Sequence, residues 1–304
     1  MKKFVIPCAV ALSLVACSKS EPEPAATAEP AAVVQAAEEM AAPTQLSLVE
    51  ILDNQPEAMQ ARYGYRHPAE TLQFFGIEPG MTVVEGLPGG GWYSKILIPL
   101  LGAEGTLVGV DYSASLFPLF GFFSDEALEK KKTWTTDWVA GAQEWRGDNA
   151  AEVKAFVFGS MPESFAGTAD AVVMIRAMHN LNRFEDEGGF RTEALENMFA
   201  VLKPGGILGI VQHQAAADMP DEWADGSNGY LKQEDLVAHV EAAGFSFVDS
   251  SDINVNPADQ PTTDDVVWRL PPTLATSRED DALRAEMLAI GESNRMTLKF
   301  RKPE

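Results

Sequence analysis

Short apolar runs alternate with longer segments whose apolar residues recur at every third or fourth position from about residue 44 onward. The short runs predict buried strands, and the longer segments predict helices. The predicted strands are 81–85, 106–111, 154–158, 171–175, 207–212, 245–253 and 296–301, and the predicted helices are 46–52, 67–75, 92–101, 113–150, 192–202 and 233–243. Such alternation predicts a largely parallel sheet with helices on both faces. A ligand is then expected at the carboxyl ends of the strands, where the strand order reverses.

The composition is that of an acidic globular chain. Its 304 residues include 23 Lys and Arg against 45 Asp and Glu, which gives a formal charge of −22. Nucleic acid is excluded as a partner because a phosphate backbone requires clustered basic residues, and the one basic run, 130–132, is outweighed by its surroundings.

The first residues predict an export signal. Lys2 and Lys3 precede an apolar stretch, 4–15, which is too short to span a bilayer and fits a secretory signal peptide. The segment Leu14-Val15-Ala16-Cys17-Ser18 resembles the lipobox of bacterial lipoproteins, which implies cleavage before Cys17 and acylation of that residue. Ser18 resembles the pattern of proteins sent to the outer membrane, where this chain would face the periplasm. The alternative is an ordinary signal peptide with a chance cysteine.

Three regions are therefore predicted: a signal peptide over 1–16, a flexible tether rich in Ala, Glu and Pro over 17–43, and one α/β domain over 44–304. Both cysteines, Cys8 and Cys17, lie outside the domain, which excludes disulfides, cysteine-bound zinc and a cysteine nucleophile within it.

A glycine-rich turn lies between the first predicted strand and the next helix, in Glu85-Gly86-Leu87-Pro88-Gly89-Gly90-Gly91. Glycines at such a turn allow the backbone to approach a ligand, and the following helix offers unpaired N–H groups. Asp111 ends the next strand, where a nucleotide-binding α/β fold places a carboxylate that accepts hydrogen bonds from ribose hydroxyls.

These features resemble class I S-adenosylmethionine-dependent methyltransferases over about residues 64–250, and 296–303 resembles the last strand of that family. The resemblance rests on the loop 85–91, on Asp111, on Gly159-Ser160-Met161, on 170–180 and on Leu202-Lys203-Pro204-Gly205-Gly206. Three further segments, 65–71, 88–93 and 268–272, are similar to a group of exported bacterial proteins assigned as methyltransferases.

The resemblance implies a Rossmann-like, doubly wound sheet of seven strands, mostly parallel with an antiparallel last strand. It implies S-adenosyl-L-methionine as the cofactor and methyl transfer to a small, apolar or aromatic acceptor. Cofactor-binding residues would be Glu85, Gly89, Gly91, Asp111, Ser160 and Met161. Two departures stand out: Leu87 replaces the first loop glycine, and Ser160 stands where an Asp often binds the adenine amine.

Two further residues are candidates for catalysis. His179 follows the fourth strand and could act as a general base, or it could be a structural histidine. Tyr93 opens the helix after the loop and could contact the methionine carboxylate, or it could pack in the core. No metal is required, and the four histidines have no metal-ligand spacing.

An aromatic stretch over 117–145 is either core or a hydrophobic lid over the acceptor. Segment 257–277 is either a second lid, with Arg269 binding an anionic acceptor, or an ordinary surface loop.

Because an exported enzyme would need its donor supplied from the cytosol, a non-catalytic lipoprotein that binds a small ligand on the same fold remains an alternative. A dinucleotide-dependent oxidoreductase is a weaker one, because the loop lacks a regular Gly-x-Gly-x-x-Gly pattern.

Overall fold

The structure is a computed structural model that describes residues 45–147 and 149–304. The predicted signal peptide, the lipidation site Cys17 and the predicted tether lie outside these residues. Within the described part of the chain, no helix is long and apolar enough to cross a membrane.

One mixed sheet forms the centre of the molecule. Its strands are β1 (Thr82–Gly86), β2 (Thr106–Asp111), β3 (Glu152–Val157), β4 (Ala169–Ile175), β5 (Leu202–His213), β6 (Ser246–Ser251) and β7 (Arg295–Arg301). They lie in the order β3-β2-β1-β4-β5-β7-β6. The pairs among β1 to β5 are parallel, whereas β7 runs antiparallel to both β5 and β6. The predicted seven-stranded, Rossmann-like sheet with an antiparallel last strand is thus confirmed, and its order reverses between β1 and β4.

Helices flank the sheet. They are α1 (Leu48–Asp53), α2 (Glu57–Gln60), α3 (Tyr63–Arg66), α4 (Pro68–Phe75), α5 (Ser94–Leu101), α6 (Asp125–Lys132), α7 (Trp134–Gln143), α8 (Met178–Arg183), α9 (Glu185–Gly188), α10 (Phe190–Val201), α11 (Gln233–Ala242) and α12 (Asp281–Ile290). Successive strand residues belong to different apolar clusters, Val83 to one and Val84 to the other. Because side chains alternate across a strand, the two clusters are the cores on the two faces of the sheet.

Several segments differ from the sequence prediction: the short helices α2, α3, α8 and α9 were not predicted, and β5 begins at Leu202 instead of residue 207. Two further differences concern longer stretches. Residues 113–150, predicted as one helical stretch, contain a 3-10 turn (Phe117–Phe120) and then α6 and α7. The left-handed Gly121 ends the turn, and Ser124 caps α6 by accepting the N–H of Ala127. The second difference is α12, which lies in the stretch predicted without an element. It begins at the N-cap Asp280, a residue type that favours helix starts and whose side chain accepts the N–H of Leu283.

Helix α4 packs directly on the sheet at Gly209. A Cβ atom built on this residue of β5 would lie 2.6 Å from ring atoms of the buried Phe75. We therefore expect Gly209→Ala to lower the free energy of unfolding by about 1–3 kcal/mol through overpacking. Urea denaturation monitored by circular dichroism measures this change.

The matched control is Gly90→Ala, because nothing lies within 4 Å of the corresponding position. Equal stabilities of the two variants would contradict the close contact between α4 and β5.

Candidate active site

A cavity of about 1040 Å³ opens at the carboxyl ends of the strands, beside the reversal in strand order. Leu87 and Gly89 reach it from the turn after β1, Asp111 from the end of β2, and Asn180 from α8 after β4. Its wall is largely aromatic, with Phe117, Phe120, Phe122, Phe123, Trp134 and Trp268. The position agrees with the expectation for an open α/β sheet.

The turn after β1 keeps a left-handed backbone even where glycine is missing. Leu87 has φ +55°, Gly89 has φ +54° and Gly91 has φ +75°. The N–H of Leu87 donates to the carbonyl of Val110 at 2.6 Å, which holds the turn against β2. Leucine thus adopts a conformation that L-residues rarely take, and its side chain lies in the cavity wall.

The two predicted glycines have different surroundings. Gly89 lines the large cavity, and a Cβ atom there would have its nearest neighbour, the Leu87 carbonyl, at 3.9 Å. A Cβ atom on Gly91 would instead meet the ring of Trp145 at 2.3 Å. Gly91 therefore accommodates a tryptophan of the neighbouring crossover, and only Gly89 of the two offers close backbone approach to a ligand.

Asp111 lines the cavity but already has a cation beside it. Its Oδ1 accepts the backbone N–H of Tyr112 at 2.9 Å, and its Oδ2 accepts Lys131 Nζ at 2.8 Å. Burial raises the pKa of Asp111, while Lys131 acts in the opposite direction. Lys131 also lies 4.1 Å from the centroid of the Phe117 ring. This lysine belongs to the basic run 130–132, whose role the sequence did not indicate because the contact joins α6 to β2.

Glu85 does not line the large cavity, so the two strand-end carboxylates do not share one pocket. The Glu85 side chain is 4% exposed and accepts a hydrogen bond from Ser94 Oγ at 2.6 Å. Burial raises the pKa of this carboxyl to about 7, against the smaller lowering effect of the Ser94 hydrogen bond. Neither strand-end carboxylate is therefore free in the structure: Glu85 accepts a hydrogen bond from Ser94 of α5, and Asp111 is paired with Lys131.

Ser160 and Met161 are also separate from the large cavity. Ser160 lines a shallow pocket of about 480 Å³ together with Gly159, and Met161 packs against the apolar core. Segment 112–120 contributes side chains to both this pocket and the large cavity, so it separates them. An adenine contact from Ser160 remains a prediction that requires a ligand to extend past this segment.

A second, smaller cavity of about 220 Å³ adjoins the first. Both are lined by Leu87, Trp268 and Thr273. His179, the candidate base predicted after the fourth strand, lines the smaller one together with Arg176.

His179 is held by an amide whose orientation is fixed. Gln212 Nε2 donates to the carbonyl of Gly229 at 2.9 Å, which directs Gln212 Oε1 toward His179 Nδ1 at 3.4 Å. Nδ1 is therefore the protonated nitrogen, and Nε2 is free to accept a proton. Burial lowers the pKa of His179 to about 4, with a smaller opposing effect from Gln212, so the imidazole is neutral at pH 7.

Tyr93 belongs to the core. Its ring is 5% exposed and packs edge-on against Trp92 at 4.7 Å, and its hydroxyl donates to the carbonyl of Arg66 at 3.3 Å. Burial raises the pKa of this phenol to about 12. Of the two alternatives that the sequence left open for Tyr93, the structure shows core packing.

Arg269 has a structural role instead of gripping an acceptor. Its guanidinium pairs with Asp259 at 2.8 Å and with Asp265 at 2.9 Å, all within one excursion of the chain. The neighbouring Trp268, Thr273 and Ala275 do line the large cavity, so segment 257–277 contributes a wall but not through its arginine.

The aromatic stretch divides between the two interpretations. Its first part supplies the cavity wall, whereas Trp138 fills the space beside Gly109, with a ring atom 2.6 Å from a Cβ built there.

Sequence reasoning missed Arg183 and Arg278, which also line the large cavity, because their positions depend on how α8 and the segment before α12 pack. Within the described residues, no group of His, Cys, Asp and Glu side chains is arranged to hold a metal ion.

Neither a protein-family model nor a curated protein matches this chain. Solved structures do resemble it. The cyclase SpnF is 17% identical and superposes with a TM-score of 0.48 over 78% of this chain and 80% of its own. A SAM-dependent methyltransferase from Aquifex aeolicus is 20% identical, with a TM-score of 0.43 over 69% and 94%. The 1,6-didemethyltoxoflavin-N1-methyltransferase of Burkholderia thailandensis, with bound S-adenosylhomocysteine, is 13% identical, with a TM-score of 0.42 over 84% and 85%. At these identities the likeness is one of fold.

The buried carboxyl of Glu85 predicts a pH-dependent stability. Its pKa is about 7 in the folded chain and near the ordinary 4.5 in the unfolded chain, so the folded state retains a proton that the unfolded state loses. We expect the free energy of unfolding to fall as pH rises from about 4.5 to 7, by on the order of 3 kcal/mol, and to level above that range.

Glu85→Gln removes the titrating group and should flatten this profile. Urea denaturation at pH 5, 6, 7 and 8 makes the comparison, with the exposed Glu144→Gln as the matched control. Parallel profiles for wild type and Glu85→Gln would show that the carboxyl is not desolvated.

Proposed function

We propose that this chain is an S-adenosylmethionine-dependent methyltransferase that acts on a small apolar or aromatic acceptor. One observation carries the proposal: Gly89 and Asp111, from the ends of two neighbouring strands, line the same large aromatic cavity. Its volume of about 1040 Å³ lies at the upper end of small-molecule sites, which leaves room for an acceptor beside a cofactor.

The residues present fit an adenosyl ligand. Asp111 retains lone pairs beyond the two that Tyr112 and Lys131 use, so it can still accept ribose hydroxyls. Gly89 allows backbone approach, and Phe117 and Trp134 offer aromatic faces to a base. S-adenosylmethionine supplies an activated methyl group, and catalysis then consists mainly of alignment.

His179 is the proposed proton acceptor for an acceptor substrate that must lose a proton. Its neutral imidazole presents Nε2 while Gln212 holds Nδ1, and it lies one residue before Asn180 of the large cavity. Asn180 Nδ2 in turn donates to the hydroxyl of Tyr112 at 3.1 Å, which fixes the start of α8 against the end of β2. The base would thus be positioned by packed elements instead of by a flexible loop.

A non-catalytic binding protein on the same fold is the second candidate. It is favoured by the pairing of Lys131 with Asp111, since a lysine on the ribose carboxylate opposes a cationic cofactor. Leu87 in place of a loop glycine favours it as well.

Asp111→Ala should weaken binding of S-adenosylhomocysteine roughly tenfold to a hundredfold, because hydrogen bonds to a charged group contribute about 1.5–3 kcal/mol. Calorimetry on the full-length chain in detergent, with S-adenosylmethionine, S-adenosylhomocysteine and NAD, measures this. The matched control is Asp170→Ala, a carboxylate that also pairs with a lysine, Lys203, but lies near the amino end of β4, whereas the cavity lies at the carboxyl ends of the strands.

Unchanged affinity in the Asp111 variant would refute the ribose contact. Binding of none of the three cofactors by the wild-type chain would refute the methyltransferase proposal and leave the binding protein.

We further propose that the mature chain is a lipoprotein anchored through Cys17 in the outer membrane and facing the periplasm. The sequence Leu14-Val15-Ala16-Cys17-Ser18 supports this. Acyl chains on one cysteine would anchor an otherwise acidic domain stably.

Metabolic labelling with palmitate should mark the wild-type chain and fail in Cys17→Ala. Cys8→Ala is the matched control, because it removes the only other cysteine and leaves the lipobox unchanged. Labelling that persists in Cys17→Ala would contradict the anchor.

A further inference from the structure

A buried cluster of charges borders the smaller cavity. Four guanidiniums surround the single carboxylate of Glu292: Arg62 at 2.5 Å, Arg66 at 3.1 Å, Arg295 at 3.4 Å and Arg176 at 3.8 Å. One carboxylate cannot neutralise four guanidiniums. The cluster is therefore locally positive in a chain whose net charge is −22.

Arg176 differs from the other members of the cluster. Arg62 and Arg66 donate hydrogen bonds to Glu292, and Arg295 donates to two backbone carbonyls as well. Arg176 approaches Glu292 only at 3.8 Å, beyond hydrogen-bond distance, and its buried Nε has no acceptor among the residues that the structure describes. A buried donor without a partner is unfavourable, so this guanidinium is open to an acceptor that the described chain does not supply.

The backbone holds Arg176 in this position under strain. Arg176 directly follows β4 with φ +59°, and Leu87 directly follows the neighbouring β1 with φ +55°. The N–H of Arg176 donates to Val211 at 2.6 Å, as that of Leu87 donates to Val110. Both side chains line the smaller cavity. Non-glycine residues in left-handed conformations concentrate at functional sites, where the surrounding structure maintains them.

We propose that the smaller cavity binds a carboxylate through the guanidinium of Arg176. The Arg176 guanidinium, only partly compensated by Glu292, matches one monovalent carboxylate in charge and in planar, two-point geometry. Glu292 also lines the cavity, but its carboxylate is shared with Arg62, Arg66 and Arg295, and His179 and His213 are buried and neutral. Because Glu292 offsets part of the Arg176 charge, a monovalent carboxylate matches this guanidinium better than a doubly charged phosphate does.

The surroundings of Arg176 suit an anionic group attached to a larger apolar body. Val267, Leu270 and the dipeptide Pro271-Pro272 cover the cavity, and a low-dielectric wall strengthens an ion pair. Since the cavity shares Leu87 and Trp268 with the large one, a ligand there can present its carboxylate to Arg176. The identity of that ligand rests on the proposed function: the carboxylate belongs either to the methionyl part of S-adenosylmethionine or to the acceptor.

The test compares ligands with and without a carboxylate, by calorimetry on the full-length chain in detergent. S-adenosylhomocysteine is compared with 5′-methylthioadenosine, which lacks the amino-acid part, and benzoate is compared with benzamide. The variants are Arg176→Gln and Arg176→Lys. Arg62→Gln is the matched control, since it removes one guanidinium of the same cluster that does not line the cavity.

We expect Arg176→Gln to weaken carboxylate binding at least tenfold, with a smaller loss in Arg176→Lys and none for ligands without a carboxylate. If S-adenosylhomocysteine is affected, the carboxylate is that of the cofactor. If benzoate alone is affected, it is that of the acceptor. An effect of Arg176→Gln on inorganic phosphate but on neither carboxylate would overturn the proposal, and so would equal affinities in wild type and variant.

The outcomes separate this inference from the proposed function. Binding of S-adenosylhomocysteine that does not depend on Arg176, together with no Arg176-dependent binding of benzoate, would retain the methyltransferase and refute the carboxylate site. Arg176-dependent binding of benzoate without binding of any adenosyl compound would do the reverse.

A second measurement covers the case in which Arg176→Gln does not fold. Phenylglyoxal modification of the wild-type chain, read by mass spectrometry, should be slowed at Arg176 by whichever carboxylate binds. It should be unchanged at the exposed Arg284 of α12. Equal modification of Arg176 with and without the carboxylate ligands would overturn the proposal.

Discussion

The candidate site depends on the ion pairs that the carboxylate of Glu292 forms with arginines. Glu292 is 2% exposed and accepts hydrogen bonds from Arg62 and Arg66, which lie more than 200 positions earlier in the chain. These contacts tie α3 and its N-cap Arg62 to the segment before β7. Removing one member of a buried ionic group commonly costs about 3–5 kcal/mol, because the remaining charges lose their partner. The same carboxylate leaves Arg176 only partly compensated, so the element that stabilises this end of the sheet also prepares it for an anion.

The electrostatics of the site differ from what a strongly acidic composition suggests. Glu85 is buried and accepts a hydrogen bond from Ser94, and Asp111 is paired with Lys131, so neither offers a free negative charge. The large cavity is instead bounded mostly by aromatic rings, and the smaller one by the guanidinium of Arg176, the carboxylate of Glu292 and two neutral imidazoles. Recognition here would rest on stacking and apolar burial in one part and on a single ion pair in the other. Long-range attraction from the net charge contributes little to either.

Short buried strands form the sheet, whereas long connections between elements form the walls of the site. The strands are short and buried, and they bring Gly89 and Asp111 to neighbouring positions through the register of β1 and β2. The walls come from two long connections, 112–134 after β2 and 266–278 before α12, which meet over the strand ends. A rigid sheet that positions a few residues, combined with connections that shape the cavity, is the usual division in α/β folds. Differences in ligand would therefore be expected to arise in the connections.

The sequence by itself indicated most of the strands and placed Gly89 and Asp111 at the ends of two of them, and the family resemblance implied the doubly wound order of the sheet. The strands and their end positions follow from local patterns, because short apolar runs mark buried strands. The sequence left open whether Tyr93 contacts a ligand or packs in the core, and it did not indicate the partners of Asp111, Glu85 or Arg176. Each of these depends on contacts between distant segments: Lys131 reaches β2 from α6, Trp145 fills the space beside Gly91, and Glu292 meets one arginine of α3 and another directly after β4. Tertiary packing alone decides such contacts, since no local pattern records which charged side chain will be buried beside another.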